Sequence, residues 1–223
     1  MTQTTWTKDS LRLALRLYVI PDRVIGAPLS IEEQARLALL GGATAIQLRD
    51  KDMTGKEADG GEMLREAKLL SAMCRSRGAL FIVNDRLDVA ILSGADGVHL
   101  GQDDIPATEA RRIAPPGFII GVSAHTADEA RRALSDGADY LGLGAVFGTG
   151  SKAVDSVIGL PGLRTAAAAT DLPSVAIGGV SHGNLRGVMD CGVDGVCVIS
   201  AAVGGDVTSN VERLRKELGL REV

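Results

Sequence analysis

The sequence predicts an α/β fold: a single (β/α)8 TIM barrel with a short N-terminal extension. Three observations point there. Eight short apolar runs recur along 223 residues, amphipathic stretches separate them, and polar side chains gather after the runs rather than before them. Aromatic residues make up only 3% of the chain while Gly reaches 28, so the core must be built from Val, Ile, Leu and Ala between glycine turns. That composition suits parallel strands covered by helices, and barrels of this kind often reach this length as one unit. The expected division is an extension over 1–16, a barrel core over 17–203 and a C-terminal helix over 204–223.

Taken in order, the candidate strands are LYVI (17–20), TAIQL (44–48), LFIV (80–83), GVHL (97–100), FIIGV (118–122), YLGLG (140–144), SVAIG (174–178) and GVCVI (195–199). Continuous apolar runs of four or five residues fit strands buried on both faces. Between them, SIEEQARLALLGG opens with Ser30 as N-cap and Glu33 three residues on, then ends at Gly41. TADEARRALSDGAD repeats that grammar with Thr126, Glu129 and Gly137, and SHGNLRGVMDCGVD repeats it more weakly. A cadence of Gly-Ala/Val-Asp (GADGV, GADYL, GVDGV) leads from a helix into the next strand. Eight β units with short connections favour a closed barrel over an open doubly wound sheet.

The totals exclude several function classes. A net charge of −4 from 24 basic and 28 acidic residues implies no surface for nucleic acid, so any phosphate ligand needs a local site. Cys74, Cys191 and Cys197 form no CxxC pair and read as small buried hydrophobes in a reducing compartment. Lys8, Asp9, Arg12 and Arg16 interrupt the apolar residues of the N-terminus, unlike a signal peptide. The longest stretch without Asp, Glu, Lys or Arg, Ile113 to Ala127, contains Pro115-Pro116 and is too short to span a membrane. A cytoplasmic location is expected.

In a barrel, the working face is the C-terminal end of the strands. Strand two runs into QLRDK, where Gln47, Arg49 and Lys51 alternate and so share one side, toward the pocket. Strand three ends in Asn84-Asp85-Arg86, strand four in Gly101-Gln102-Asp103-Asp104, and strand five in Ser123 and His125. GTGSK (148–152) follows strand six, Gly178-Gly179 strand seven, and Ser200 strand eight. Asp85 or Asp104 alone reads as a helix cap; together, after neighbouring strands, they read as ligands for one hard cation. Arg49, Lys51 and Lys152 are cations suited to phosphate, against a competing reading as solvated surface charges. GTGSK lacks Walker spacing, but Thr149 and Ser151 offer hydroxyls; a plain turn is equally compatible. Gly178-Gly179 and Ile199-Ser200 sit where barrels frequently bind a phosphate, although each glycine also fits a tight turn. His99 reads as a satisfied core histidine, His125 can face either way, and His182 is expected to begin the helix after strand seven.

The motifs LYVIPDR, QLRDK, IVNDR, GVHLGQDD, IGVSAHT, GLGAVFGTGSK, VAIGG and GVCVIS occur in the order and spacing of thiamine phosphate synthases, and the resemblance runs from about Leu17 to Ala202. It implies a transferase of thiamine biosynthesis. Such an enzyme joins 4-amino-2-methyl-5-(diphosphooxymethyl)pyrimidine to a methylthiazole ethyl phosphate, or its carboxylate, with release of diphosphate. Carried over by motif, Gln47, Leu48, Arg49, Asp50, Lys51, Asn84, Ser123 and Lys152 would hold the pyrimidine diphosphate. Asp85 and Asp104 would ligate Mg²⁺, one per subunit. Thr149, Gly150, Ser151, Gly179, Ile199 and Ser200 would hold the thiazole phosphate. Arg49, Lys152 and Ser123 would serve a dissociative substitution, in which charge stabilisation counts for more than a strong acid or base. The partners implied are the two small substrates, with no nucleic acid and no membrane; a homodimer is allowed but nothing requires it. One departure is Gly148, where the family usually has Pro. Two rivals remain: a thiazole tautomerase using His125, which generally lacks the carboxylates and QLRDK cluster kept here, and a catalytically silent relative, which would have lost charged site residues.

Overall fold

The structure, a computed structural model, describes residues 6–49, 59–148 and 157–220. Eight parallel strands close in chain order: β1 Leu17–Val19, β2 Ala45–Leu48, β3 Leu80–Asn84, β4 Gly97–Leu100, β5 Ile119–Ala124, β6 Tyr140–Leu143, β7 Ser174–Ile177 and β8 Gly195–Val198. Pairing of β8 with β1 removes every sheet edge. Before and between them lie α1 Lys8–Ala14, α2 Ile31–Leu40, α3 Gly60–Ser76, α4 Leu87–Ser93, α5 Ala107–Ile113 and α6 Ala127–Ser135. The later helices are α7 Gly159–Ala167, α8 Leu185–Met189, α9 Ser200–Val203 and α10 Val207–Glu217. The expected barrel is therefore observed, with each apolar run supplying one strand.

Side-chain alternation divides the core in two. Leu17, Val19, Ile46, Leu48, Phe81 and Val83 point outward and join the helices in one large cluster. Tyr18, Ala45, Leu80, Ile82, Ile119, Tyr140, Val175 and Cys197 point inward and fill the barrel. The helix signals also hold. Ser30 accepts from the Glu33 amide at the start of α2, and Thr126 accepts from the Glu129 amide at the start of α6. The helix after β7 begins at Leu185 with Asn184 as N-cap, so His182 lies before it rather than opening it. The His182 ring instead contacts Glu217 of α10 at 3.2 Å.

The N-terminal extension closes the bottom of the barrel. Thr7 caps α1 in a capping box with Ser10, and Leu11, Ala14 and Leu15 join the inner cluster with Trp6 packed against it. Polar ties fix the helix there: Trp6 Nε1 to Asp96 at 3.1 Å, Arg12 to Asp194 at 2.5 Å, and Lys8 to Asp171.

The Gly-Ala/Val-Asp cadence has a long-range role. Asp96, just before β4, accepts from the Phe81 amide in β3 at 2.9 Å, and its own amide donates back to the Phe81 carbonyl. Asp139 before β6 does the same with Ile120 of β5, and Asp194 before β8 with Ser174 of β7. Thr44 before β2 repeats the exchange with Leu17 of β1 through its hydroxyl. Each even strand thus enters by clamping the amide and carbonyl of the preceding odd strand, and satisfies backbone groups that would otherwise lie half-buried and unpaired. Arg111 reinforces one clamp by bonding Asp139 and the Phe118 and Gly137 carbonyls.

Candidate active site at the barrel mouth

At the other end, β3 and β4 deliver the carboxylates. Asn84 pairs with His99 in the sheet, and the next residue, Asp85, takes φ 58 while its amide bonds the His99 carbonyl at 2.8 Å. A left-handed Asp is uncommon, and such outliers concentrate at functional sites. Neither acid caps a helix. The N-caps of α4 and α5 are Arg86 and Pro106, and neither side chain makes a capping bond. Asp104 instead turns back to accept the Gly101 amide at 2.6 Å, which holds it over the end of β4. Both acids are half-buried on the rim. Two carboxylate donors, with the rest of the shell left to water and phosphate oxygens, suit Mg²⁺. Among the described residues no group of three or more His, Cys, Asp or Glu gathers that could hold a metal ion by protein ligands alone.

The QLRDK stretch divides by depth. Gln47 is only 3% exposed and donates to the Tyr18 hydroxyl at 2.7 Å, so it faces the pocket from below, inside the barrel. Arg49, just past β2, is half-buried at the rim. Leu48 points the other way: it is fully buried in the outer cluster beneath the helices. Its side chain therefore cannot contact a ligand in the mouth, and only its backbone could. Asp50 and Lys51 lie outside the described residues.

Ser123 near the end of β5 is half-buried, its carbonyl accepts from Gln102 Nε2 at 2.6 Å, and its hydroxyl meets His99 Nε2 at 3.0 Å. The other His99 nitrogen meets the Tyr140 hydroxyl at 2.9 Å, and Tyr140 meets Tyr18 at 3.2 Å. Burial, with Tyr140 beside it, pushes the Tyr18 phenol well above its usual range; burial likewise raises Tyr140, despite the bond it accepts from Tyr18. Both phenols therefore stay neutral. Sequence reasoning placed His99 correctly as a satisfied histidine but missed Tyr18, Tyr140 and Gln102. The available signal was scarcity: the chain has only two tyrosines, and both lie in candidate strands.

Across the mouth, Gly178 and Gly179 have φ of 95° and 65° and are pressed against the strand-six loop. A Cβ on Gly178 would sit 2.5 Å from that of Ala145, and one on Gly179 would sit 2.7 Å from that of Phe147. Backbone bonds from Val146 to Ile177 and from Phe147 to Gly178 zip that loop to the end of β7. Asn184 accepts the Ser181 amide and donates to the Gly179 carbonyl at 2.9 Å. Ile199 is the N-cap of α9 and Ser200 its first residue, on the neighbouring strand end. Thr149, Gly150, Ser151 and Lys152 lie outside the described residues. His125 is held by Glu129, which accepts from both its amide and its ring. Burial pushes the Glu129 carboxyl up, but these bonds outweigh it and hold the group below the usual range.

The rim thus gathers Arg49, Asn84, Asp85, Asp104, Ser123, Gly179, Ile199 and Ser200 at the same ends of neighbouring strands. The sequence profile of the family described as thiamine monophosphate synthase matches residues 17–202. A thiamine-phosphate synthase of Coprothermobacter proteolyticus is 48% identical over 94% of this chain and 98% of its own length. One from Moorella thermoacetica is 50% identical over 90% and 94%. The solved thiamine phosphate pyrophosphorylase of Pyrococcus furiosus superposes with a TM-score of 0.84 at 46% identity, covering 94% of this chain and 98% of that one. A 3-hexulose-6-phosphate synthase, at 19% identity and TM-score 0.66, shares the fold alone. With a profile match across the whole barrel and near-half identity over full-length relatives, the chain belongs to the thiamine monophosphate synthase family.

Proposed function

We propose that this chain is a transferase that condenses the pyrimidine diphosphate with the thiazole phosphate to give thiamine phosphate and diphosphate. The observation that carries the reading is near-half identity to thiamine-phosphate synthases over more than nine-tenths of both chains. The rim chemistry supports it: two carboxylates and Arg49 stand at the mouth of a chain whose net charge is −4 and would otherwise repel a polyanion. The retained carboxylates and Arg49 favour synthase over tautomerase or a silent relative.

Asp85 and Asp104 would hold Mg²⁺, which when bound neutralises diphosphate charge. Arg49 and Lys152 would bind the departing diphosphate by charge-assisted hydrogen bonds that strengthen as the bond breaks. The C–O bond to diphosphate breaks with its electron pair leaving on oxygen. The thiazole nitrogen lone pair then forms the new C–N bond to the pyrimidine methylene carbon. No proton need move in either event, so the reaction calls for no nucleophile–base pair. Asn84 and Ser123 would orient the pyrimidine, and Thr149, Gly150, Ser151, Gly179, Ile199 and Ser200 would seat the thiazole phosphate. A homodimer is compatible with this reading, which does not require one. A cytoplasmic setting suits the three buried free thiols; among the described residues no helix is long and apolar enough to cross a membrane.

The test is to incubate purified protein with both substrates and Mg²⁺ and to measure thiamine phosphate and diphosphate. Equal amounts of the two products, dependent on both substrates, are expected. Release of phosphate or diphosphate without thiamine phosphate would overturn the reading.

A further inference from the structure

Five polar side chains form one line across the barrel interior: Gln47, Tyr18, Tyr140, His99 and Ser123, at successive separations of 2.7, 3.2, 2.9 and 3.0 Å. Its five members come from five different strands, β2, β1, β6, β4 and β5, so no local sequence rule demands it. Room is made for it on purpose. A Cβ on Gly121 would lie 2.1 Å from the Tyr140 ring, and one on Gly142 would lie 2.9 Å from the His99 ring. Tyr18 and Tyr140 are 1% and 0% exposed, so neither can touch a substrate. Whatever they contribute to the site passes through the ends of the line.

The donors and acceptors along it have one consistent order. The Gln47 amide nitrogen donates to the Tyr18 oxygen, which leaves the Tyr18 proton for Tyr140. Tyr140 then has its own proton for His99 Nδ1, which must be a bare acceptor. A neutral imidazole with a bare Nδ1 carries its proton on Nε2, and that proton goes to Ser123 Oγ. The Ser123 hydroxyl, with its oxygen so engaged, keeps one proton to give away.

We propose that Tyr18, Tyr140 and His99 are positioning residues: they lock His99 in the Nε2–H tautomer and fix the Ser123 hydroxyl as a donor toward an acceptor atom of the pyrimidine diphosphate. This rests on the reading of Ser123 as a pyrimidine-site residue. A buried line of this kind rigidifies because each member satisfies the next, and a hydroxyl held in one rotamer loses less freedom when substrate arrives.

Two measurements test it. The first needs no activity. The chain has three histidines, so ¹⁵N spectra of the imidazoles, assigned by loss of one set in His99→Gln, report the tautomer directly. Nε2–H with bare Nδ1 is expected, and Tyr140→Phe should turn it into a mixture. The Nδ1–H form, or no change in Tyr140→Phe, overturns the proposal. The second is a double-mutant cycle on kcat. Tyr140→Phe alone should lower kcat about tenfold, the usual scale for one positioned hydrogen bond, with KM nearly unchanged. In a Ser123→Ala background the same change should lower kcat no further, because its effect travels through that hydroxyl. An equal loss in both backgrounds would mean that the tyrosines only support the fold, and would overturn the relay. Should Tyr140→Phe not fold, Tyr18→Phe breaks the line one link earlier and carries the same expectations. A wild-type protein that makes no thiamine phosphate would refute the parent reading instead, and the imidazole spectra would still decide the line.

Discussion

The two ends of the barrel solve opposite problems with similar residues. At the N-terminal end of the strands, Asp96, Asp139 and Asp194 spend their carboxylates on backbone amides of neighbouring strands, and α1 seals the opening with Leu11, Leu15 and Trp6. At the C-terminal end, Asp85 adopts φ 58 and Asp104 reaches back to the Gly101 amide, in the turn it closes. The first set ties strand to strand; the second is aimed along the rim. An Asp that closes a long-range backbone clamp stabilises the fold, whereas one on the rim that does not cap a helix stands at the end of the barrel where such folds carry their chemistry.

The largest expected effect lies at the rim. Chelation of Mg²⁺ should stop turnover, and Asp85→Asn should cut kcat on the order of a hundredfold or more. Asn tolerates the left-handed conformation, so this variant should remove charge without disturbing the turn; full activity in chelator would sink the metal assignment. Lys152→Ala should also lower kcat by roughly a hundredfold while leaving thiazole phosphate binding little changed. A parallel rise in KM for both substrates would assign it to substrate capture instead.

Between the two ends sit the only two tyrosines of the chain. Burial raises both phenols, so the folded protein retains protons that the unfolded chain releases near pH 10. Their stabilising contribution is complete below that pH and declines as pH rises above it. Absorbance at 295 nm should accordingly show tyrosinate only together with unfolding; a titration step in the folded protein would show that water reaches the line. The smallest effect is expected at Gly148, where a Cβ would meet nothing within 4 Å among the described residues and φ is not positive. Gly148→Ala should leave kcat within about twofold, as for an ordinary surface change, and a larger loss would show that the loop needs the freedom of glycine.

The strands were legible because each is a continuous apolar run, and α2 and α6 because Ser30 and Thr126 carry local capping signals. The cadence of Gly-Ala/Val-Asp was visible as a pattern, but its purpose was not: the partner of Asp139 lies in the preceding strand, 19 residues back. The same holds for the Tyr18–Tyr140 contact, 122 residues apart. Alternation assigned Gln47 correctly to the inner side, yet it could not give depth, so Gln47 proved to lie beneath the pocket and Leu48 behind it. The acids at the rim were identified by their position after neighbouring strands, while the backbone strain at Asp85 has no signature in residue type alone.

The division of labour between the two ends is tested most directly by measuring kcat and Tm side by side for Asp104→Asn and Asp194→Ala. Asp104→Asn keeps an acceptor for the Gly101 amide, so Tm should hold while kcat falls about a hundredfold. Asp194→Ala loses the Ser174 amide and the Arg12 contact. Its Tm should drop by about 4–8 °C, for a cost on the order of 2 kcal/mol, while kcat of the folded protein stays within about twofold. The reverse outcome, a fully active Asp104→Asn beside an inactive but equally stable Asp194→Ala, would contradict the account.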